Sequence, residues 1–249
     1  MEIAVCVCLV PDTASVIGFQ DGRLDMTRVS EVMNPYDEYA LEEALRMREG
    51  PGGGVVRVFS VASPEKKELL RKSLAMGADR LVIVEGPATP DPWQTASALR
   101  DAFAEVYGDS MPDMVFCGRR STDFGSGEVP GMLAALLGMP SVSAVVSLDV
   151  APDGSFLLVR EIEGGAEHMS VGMPVLFSTE KGLNIPRKTS MKGVMEARKK
   201  PVDILPQTET HAPRAALSAI RPAVKRKPCH MLDGVDELVR RLNTHEGLF

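Results

Sequence analysis

Between Ile3 and Leu137 short apolar runs alternate with longer helical patterns, and this alternation constrains the fold more than any other feature of the chain. The runs are Ile3–Val10, Val55–Val61, Leu81–Val84 and Met114–Cys117. Strands separated by helices are joined by right-handed crossovers, which builds a parallel sheet covered on both sides. The expected fold class is therefore α/β: a doubly wound, mostly parallel sheet with helices on both faces.

The helix boundaries carry their own chemistry. Asn34 suits an N-cap, Pro35 the first helical position and Asp37 the positive end of the helix dipole. Ala40, Leu41, Ala44 and Leu45 give that helix one apolar stripe, which the glycine-rich stretch from Gly50 to Gly54 ends. Ser63-Pro64-Glu65 starts a second helix, with Leu69, Leu70 and Leu74 as its expected buried stripe and Gly77 as its stop. Pro92–Tyr107 reads as a third helix, and the turn Gly118–Gly127 leads into a fourth that runs to about Leu137. Ahead of the first helix, Gln20-Asp21-Gly22-Arg23 predicts a small hairpin within Val16–Met26.

Past Leu137 the pattern changes. Ser143–Leu148, Ser155–Arg160, His168–Gly172 and Val175–Thr179 read as strands turned at Asp153-Gly154 and Gly164-Gly165, an expected antiparallel extension of the sheet. From Gly182 no apolar stripe is evident until Val235–Leu242, so this tail is either a linker with a terminal helix or an arm that packs on another chain.

Composition narrows the partners. With 44% hydrophobic residues in 249, the chain can bury a core. The net charge of −6 hides an asymmetry: from Pro186 to Pro228 eleven Lys/Arg stand against three Asp/Glu, an excess of eight positive charges that leaves −14 on the rest. A basic segment on an acidic body suits nucleic acid, an anionic surface or an acidic protein. Aromatic residues are only 5% and Trp93 is the sole tryptophan, so stacking platforms are scarce and a protein partner is the better fit. Runs such as Met132–Leu137 fall short of a membrane span. No signal-peptide pattern stands at the start, and Cys6, Cys8, Cys117 and Cys229 complete no zinc site, so buried thiols in a reducing cytoplasm are expected. His168, His211, His230 and His245 are scattered and read as solvated or packing residues.

In a doubly wound sheet ligands sit beyond the carboxyl ends of the strands. Four segments leave those ends: Val10–Thr13, Asn34–Asp37, Ala62–Pro64 and Gly118–Val129. In the last, glycines, hydroxyls and two arginines precede a helix, which suits a phosphate. Equally, Gly125 and Gly127 make a tight turn there and Ser126 caps the helix. Neither a Walker A loop nor a GxGxxG turn is present, no nucleophile motif stands out, and no acid–base chemistry is visible. Asp37, Glu38, Glu42 and Glu43 read as a solvated helix face, and Arg160–Gly165 as a surface hairpin. Met191 and Met195 would share one side of a short helix, as an adaptable contact surface or as ordinary core.

Several segments together resemble the β subunit of electron transfer flavoproteins. They are Val10–Thr13, Asn34–Ala44, Leu74–Arg80, Gly118–Val129, Arg160–Glu167 and Leu183–Arg187, in that order. The resemblance implies a heterodimer with an α subunit that carries most of the FAD contacts. The pair would take electrons from acyl-CoA or other dehydrogenases and pass them to a quinone-linked acceptor. It implies an electron carrier rather than an enzyme, with AMP or a second FAD in the β site. Carried over by position, that site comprises Cys6, Asn34, Pro35, Tyr36, Asp37, Ala62, Gly118, Asp123, Gly125, Ser126, Gly127, Glu128 and Val129. A docking segment follows, with Arg187, Met191 and Met195, while Glu161 falls where the mobile flavin domain is controlled. The implied division is a nucleotide-binding domain at 1–182, a docking loop with basic helix at 183–205 and a C-terminal arm on the α subunit at 206–249. The rival reading is a stand-alone adenine-nucleotide sensor resembling universal stress proteins. A nucleotide-hydrolysing or adenylating enzyme ranks behind both, for want of a phosphate lysine or a set of metal carboxylates.

Overall fold

A computed structural model describes residues 1–20, 23–50, 52–207, 211–221 and 229–246. The chain opens with β1 (Glu2–Cys6) and a two-stranded ribbon of β2 (Leu9–Pro11) and β5 (Glu31–Met33), with the hairpin β3 (Gly18–Gln20) and β4 (Arg23–Asp25) between them. The expected single run Ile3–Val10 is thus broken after Cys6, because the Cys8 N–H turns away from the sheet to a side-chain carboxylate. The hairpin pairs as expected, although its turn residues Asp21 and Gly22 lie outside the described residues.

Three crossovers follow. Helix α1 (Pro35–Glu49) leads to β6 (Val55–Val61), α2 (Lys67–Met76) to β7 (Arg80–Val84), and α3 (Pro92–Tyr107) to β8 (Met114–Gly118). A 3-10 turn at Pro64–Lys66, capped by Ser63, precedes α2. Asp91 and Gln94 form a capping box that starts α3. After α4 (Val129–Leu137) come β9 (Ser141–Val150), β10 (Phe156–Ile162), β11 (Gly165–Val171) and β12 (Val175–Thr179). Then α5 (Met191–Ala197), β13 (Val202–Leu205) and α6 (Val235–Arg241) complete the described elements.

The main sheet has nine strands in the order β11-β10-β9-β12-β8-β1-β6-β7-β13. Only β10 and β11 run antiparallel to their neighbours, so the expected antiparallel extension is half corrected: β12 enters parallel between β8 and β9. The correction has a physical reason, since β12 is buried along its whole length and a strand covered on both faces belongs inside the sheet. Strand β13 adds a second unanticipated element, parallel to β7 at the opposite edge.

The alternation of β1 divides the core. Ile3, Val5 and Val7 face the side packed by α1 and α2; Ala4 and Cys6 face the side packed by α3 and α4. Leu70 and Leu74 of α2 are fully buried, but Leu69 is 42% exposed, which corrects its place in the expected stripe. Residues 69 and 70 differ by 100° around a helix, and only one of them can face the sheet squarely. Leu74→Ala is expected to cost about 2–5 kcal/mol in urea denaturation, whereas Leu69→Ala stays within about 0.5 kcal/mol of the native protein.

Candidate functional site

The strand order reverses around β1. The chain goes outward to β6 and β7 on one side, then crosses back to place β8 on the other. Diverging connections leave a crevice at the carboxyl ends of β1 and β8. Cys6 and Cys117, direct register partners that are both buried, stand at the ends of these two strands. The four cysteines are all unpaired thiols.

Asp37, in the first turn of α1, ties this crevice together. Its Oδ2 accepts the Cys8 N–H at 2.8 Å, and its Oδ1 accepts the Gly118 N–H at 3.1 Å and Asn34 Nδ2 at 3.0 Å. Asn34 Nδ2 also donates to Arg120 O at 3.0 Å, while its backbone N–H reaches Cys8 O. Thr179 Oγ1, at the end of β12, donates to Tyr36 O at 3.1 Å. One helix start therefore binds the ends of three neighbouring strands. Gly118 has no alternative residue here, because a Cβ would lie 2.2 Å from Asp37 Oδ1 and 2.8 Å from the Tyr36 carbonyl carbon.

Two sequence expectations change at this point. Asn34 occupies the N-cap position of α1, but its side chain makes no capping bond; it bridges Asp37 and Arg120 instead. Its Oδ1 is buried without a protein partner among the described residues, an acceptor open to a donor on a bound molecule. The acidic face of α1 is likewise not solvated: Asp37, Glu42 and Glu43 are all buried, and only Glu38 lies partly in water. Glu42 is held by Arg187, and Glu43 by Asn184 and Arg46.

The loop above β8 is open. Residues 122–128 are exposed, and Gly125 and Gly127 have φ of 69° and 68°, which suits glycine. Ser126 does not cap α4; the N-cap position falls to Glu128, which makes no side-chain capping bond. At the start of α4 only Val129 and Gly131 offer free N–H groups, since Pro130 has none, and among the described residues these and the glycine-loop amides are left to other acceptors, apart from Phe124 N–H on Asp123 Oδ1. Arg120 is exposed and lies over the Tyr36 ring, 5.6 Å from its centroid. Arg119 is paired with Glu180 and stands 4.0 Å from Glu161.

Direct contacts therefore gather Asn34, Tyr36, Asp37 and Gly118 beside Cys8, while Cys6 is the register partner of Cys117 on the neighbouring strand. Pro35 begins the helix they share, and Asp123, Gly125, Ser126, Gly127, Glu128 and Val129 follow as the open loop. Ala62, just past β6 on the other side of β1 from β8, bonds through its N–H to Val84 O and shares no hydrogen bond with the Asp37 clasp among the described residues. Asp12, from the first strand-end segment, lines a separate open concavity of about 310 Å³ with Ser15, Val16, Arg28 and Ser30. Thr179 and Glu180 were not anticipated as neighbours of the site, since their placement depends on β12 lying beside β8. Among the described residues no cluster of His, Cys, Asp and Glu suits a metal, and no helix is long and apolar enough to cross a membrane.

Residues 21–210 match the family model for the electron transfer flavoprotein domain. The chain belongs to the electron transfer flavoprotein family. It is 34% identical over 202 residues to the electron transfer flavoprotein subunit beta of Syntrophomonas wolfei, covering 81% of this chain and 78% of the relative. To the corresponding subunit of Bradyrhizobium diazoefficiens it is 33% identical over 236 residues, 90% of each chain. The caffeyl-CoA reductase-Etf complex subunit CarD of Acetobacterium woodii is 34% identical over 207 residues, or 82% of this chain and 78% of that one. The chain is an electron transfer flavoprotein β subunit, an electron-carrier component.

Burial pushes the Asp37 carboxyl up to about 7 against the pull of its three N–H donors, and it also raises the Cys8 thiol. A carboxyl raised on folding keeps its proton in the native state while losing it in the unfolded chain, so stability falls as pH rises between the two values. The urea midpoint should rise as pH is lowered from 8 to 5, with an Asp37 share of about 2–3 kcal/mol over that interval. Glu43, also raised by burial, adds a dependence of the same sign, so Asp37→Asn should flatten the profile in part.

Proposed function

We propose that this chain is the nucleotide-binding and donor-docking half of a heterodimer, with an α subunit that carries most of the FAD contacts. The β crevice holds AMP or a second FAD. The complex accepts electrons from an acyl-CoA-type or other dehydrogenase and passes them toward a quinone-linked acceptor. Unpaired cysteines fit a reducing, cytoplasmic setting.

One observation carries the nucleotide reading: a crevice stitched by Asp37 has an unpartnered buried acceptor, Asn34 Oδ1, beneath an open run of glycine-loop amides. The acceptor suits a hydroxyl or exocyclic amine of a nucleoside, and the amides suit its phosphate. Arg120 adds positive charge at the mouth, and Tyr36 offers a partly exposed ring beneath it. The Glu128 carboxylate has to point away from any phosphate held there, since like charges at such range repel. A bound flavin supplies the electron chemistry; the chain's residues bind, orient and shield.

The docking reading rests on the exposed side of α5. Met191 is 81% and Met195 66% exposed on one face of that helix, beside the basic residues Lys188, Lys192, Arg198 and Lys199. Flexible, polarisable methionines ringed by positive charge suit an acidic protein surface with an apolar centre. Glu161, on β10 and 4.0 Å from Arg119, is the residue we assign to meet a moving flavin domain, a role its exposed carboxylate suits.

Co-expression with the cognate α chain should give a yellow complex. Denaturing it should release one FAD with one AMP in a simple carrier, or two FAD in a bifurcating one. A symmetric homodimer that retains ATP and ignores the α chain would instead support the sensor reading. Gly118→Ala should lower the adenylate retained in the β site by roughly tenfold or more, since displacing Asp37 costs at least the 1.4 kcal/mol that a tenfold change represents. FAD on the α side should stay in place.

A further inference from the structure

Segment 183–200 leaves the sheet, forms α5 and returns to β13, and it is fastened at both ends and in the middle. At its start Asn184 Nδ2 donates to Tyr39 O at 3.0 Å and to Glu43 Oε2 at 2.8 Å. Arg187 follows with its backbone N–H on Glu42 Oε2 at 3.0 Å and its guanidinium shared between Glu42 and Glu49 at 2.6–3.1 Å. All three guanidinium nitrogens are engaged on α1 through four of their five N–H groups, which fastens the segment while one Nη1 donor stays free among the described residues.

At the far end Lys200 Nζ donates to Leu74 O at 3.2 Å, Gly77 O at 3.2 Å and Ala78 O at 2.6 Å. Three donors thus meet three carbonyls at the negative end of α2, and none remains for solvent. Arg71 Nη1 adds a bond to Ala197 O at 2.8 Å. In the middle, Gly193 lies so close to α2 that a Cβ would sit 2.5 Å from Ala75 O. Ser190 caps α5 on the Gly193 N–H at 3.0 Å.

Helix α5 has seven residues. A helix that short does not hold together alone in water, so its shape comes from these attachments. We infer that Gly193 and Lys200 are positioning residues: they seat α5 on the last turn of α2 and preset the outward display of Met191 and Met195. Presetting removes ordering cost from the docking step, so these two residues strengthen donor binding without touching the donor. The inference rests on the docking reading proposed above.

The test uses the purified αβ heterodimer, with hydrogen exchange of the α5 amides and steady-state flavin reduction by an acyl-CoA dehydrogenase charged with its acyl-CoA. Gly193→Ala and Lys200→Met should each speed α5 exchange about tenfold and raise KM for the dehydrogenase about tenfold, with the larger change in KM than in kcat. Lys200→Arg should recover most of both. Met191→Ala should raise KM while leaving α5 exchange at the native rate. If Gly193→Ala and Lys200→Met leave exchange unchanged, the seating is overturned. If they speed exchange but only Met191→Ala moves KM, the positioning role is overturned while docking stands. If Met191→Ala leaves KM unmoved, the docking reading falls, and exchange alone decides whether α5 is preset.

Discussion

The Asp37 carboxylate is the interaction on which the rest of the site depends. Three N–H groups converge on it: the backbone amides of Cys8 and Gly118, which the sheet leaves unpaired where β1 and β8 end, and the side-chain amide of Asn34. Backbone donors buried without partners are costly, so a strand end inside a protein needs an acceptor. A carboxylate supplies more acceptor capacity than any neutral side chain of its size. Gly118 exists to let that carboxylate approach, and Asn34 is turned from capping its own helix to carry the link onward to Arg120.

Much of this was legible in the sequence, and what was not has a common cause. Asn34-Pro35 marks the helix start correctly because the fixed φ of Pro35 acts locally, although Asn34 itself makes no capping bond, and Pro92–Tyr107 is bounded by residues whose preferences act within one turn. The errors arise where a residue answers to something distant. Asp37, Glu42 and Glu43 look like a solvated face because charge along a helix usually is one. Their partners, Gly118, Arg187 and Asn184, stand between 81 and 145 residues away. Strand β12 reads correctly as a strand, yet its place between β8 and β9 is a matter of topology that no local pattern records. The same holds for β13, whose four residues are too few to show a period against the basic stretch before them.

The short segment at α5 shows why propensity alone was a poor guide there. Glycine at position 193 disfavours a helix, and the sequence around it offers no apolar stripe. The glycine is present because the helix lies against a carbonyl of α2 with no space for a side chain, so what lowers intrinsic helicity is what permits the packing. Local preference and tertiary fit disagree at this residue, and sites of such disagreement tend to be functional or strained.

Helix α1 joins the two regions into one mechanical unit. Its first turn carries the Asp37 clasp, and the same helix, one to three turns further on, carries Glu42, Glu43 and Glu49, which hold Asn184 and Arg187. Burying a carboxylate is unfavourable unless hydrogen bonds or an opposite charge meet it, and here each buried acid on α1 is met by a group from another part of the chain. The acids therefore specify neighbours as much as they stabilise: with the wrong neighbour, each would be an unpaired charge in the core. A rigid helix pinned at one end to the crevice and along its length to segment 183–200 fixes the distance between them. The proposed nucleotide crevice and the α5 surface are in this way referred to one frame, and neither can be rebuilt without disturbing the packing of the other.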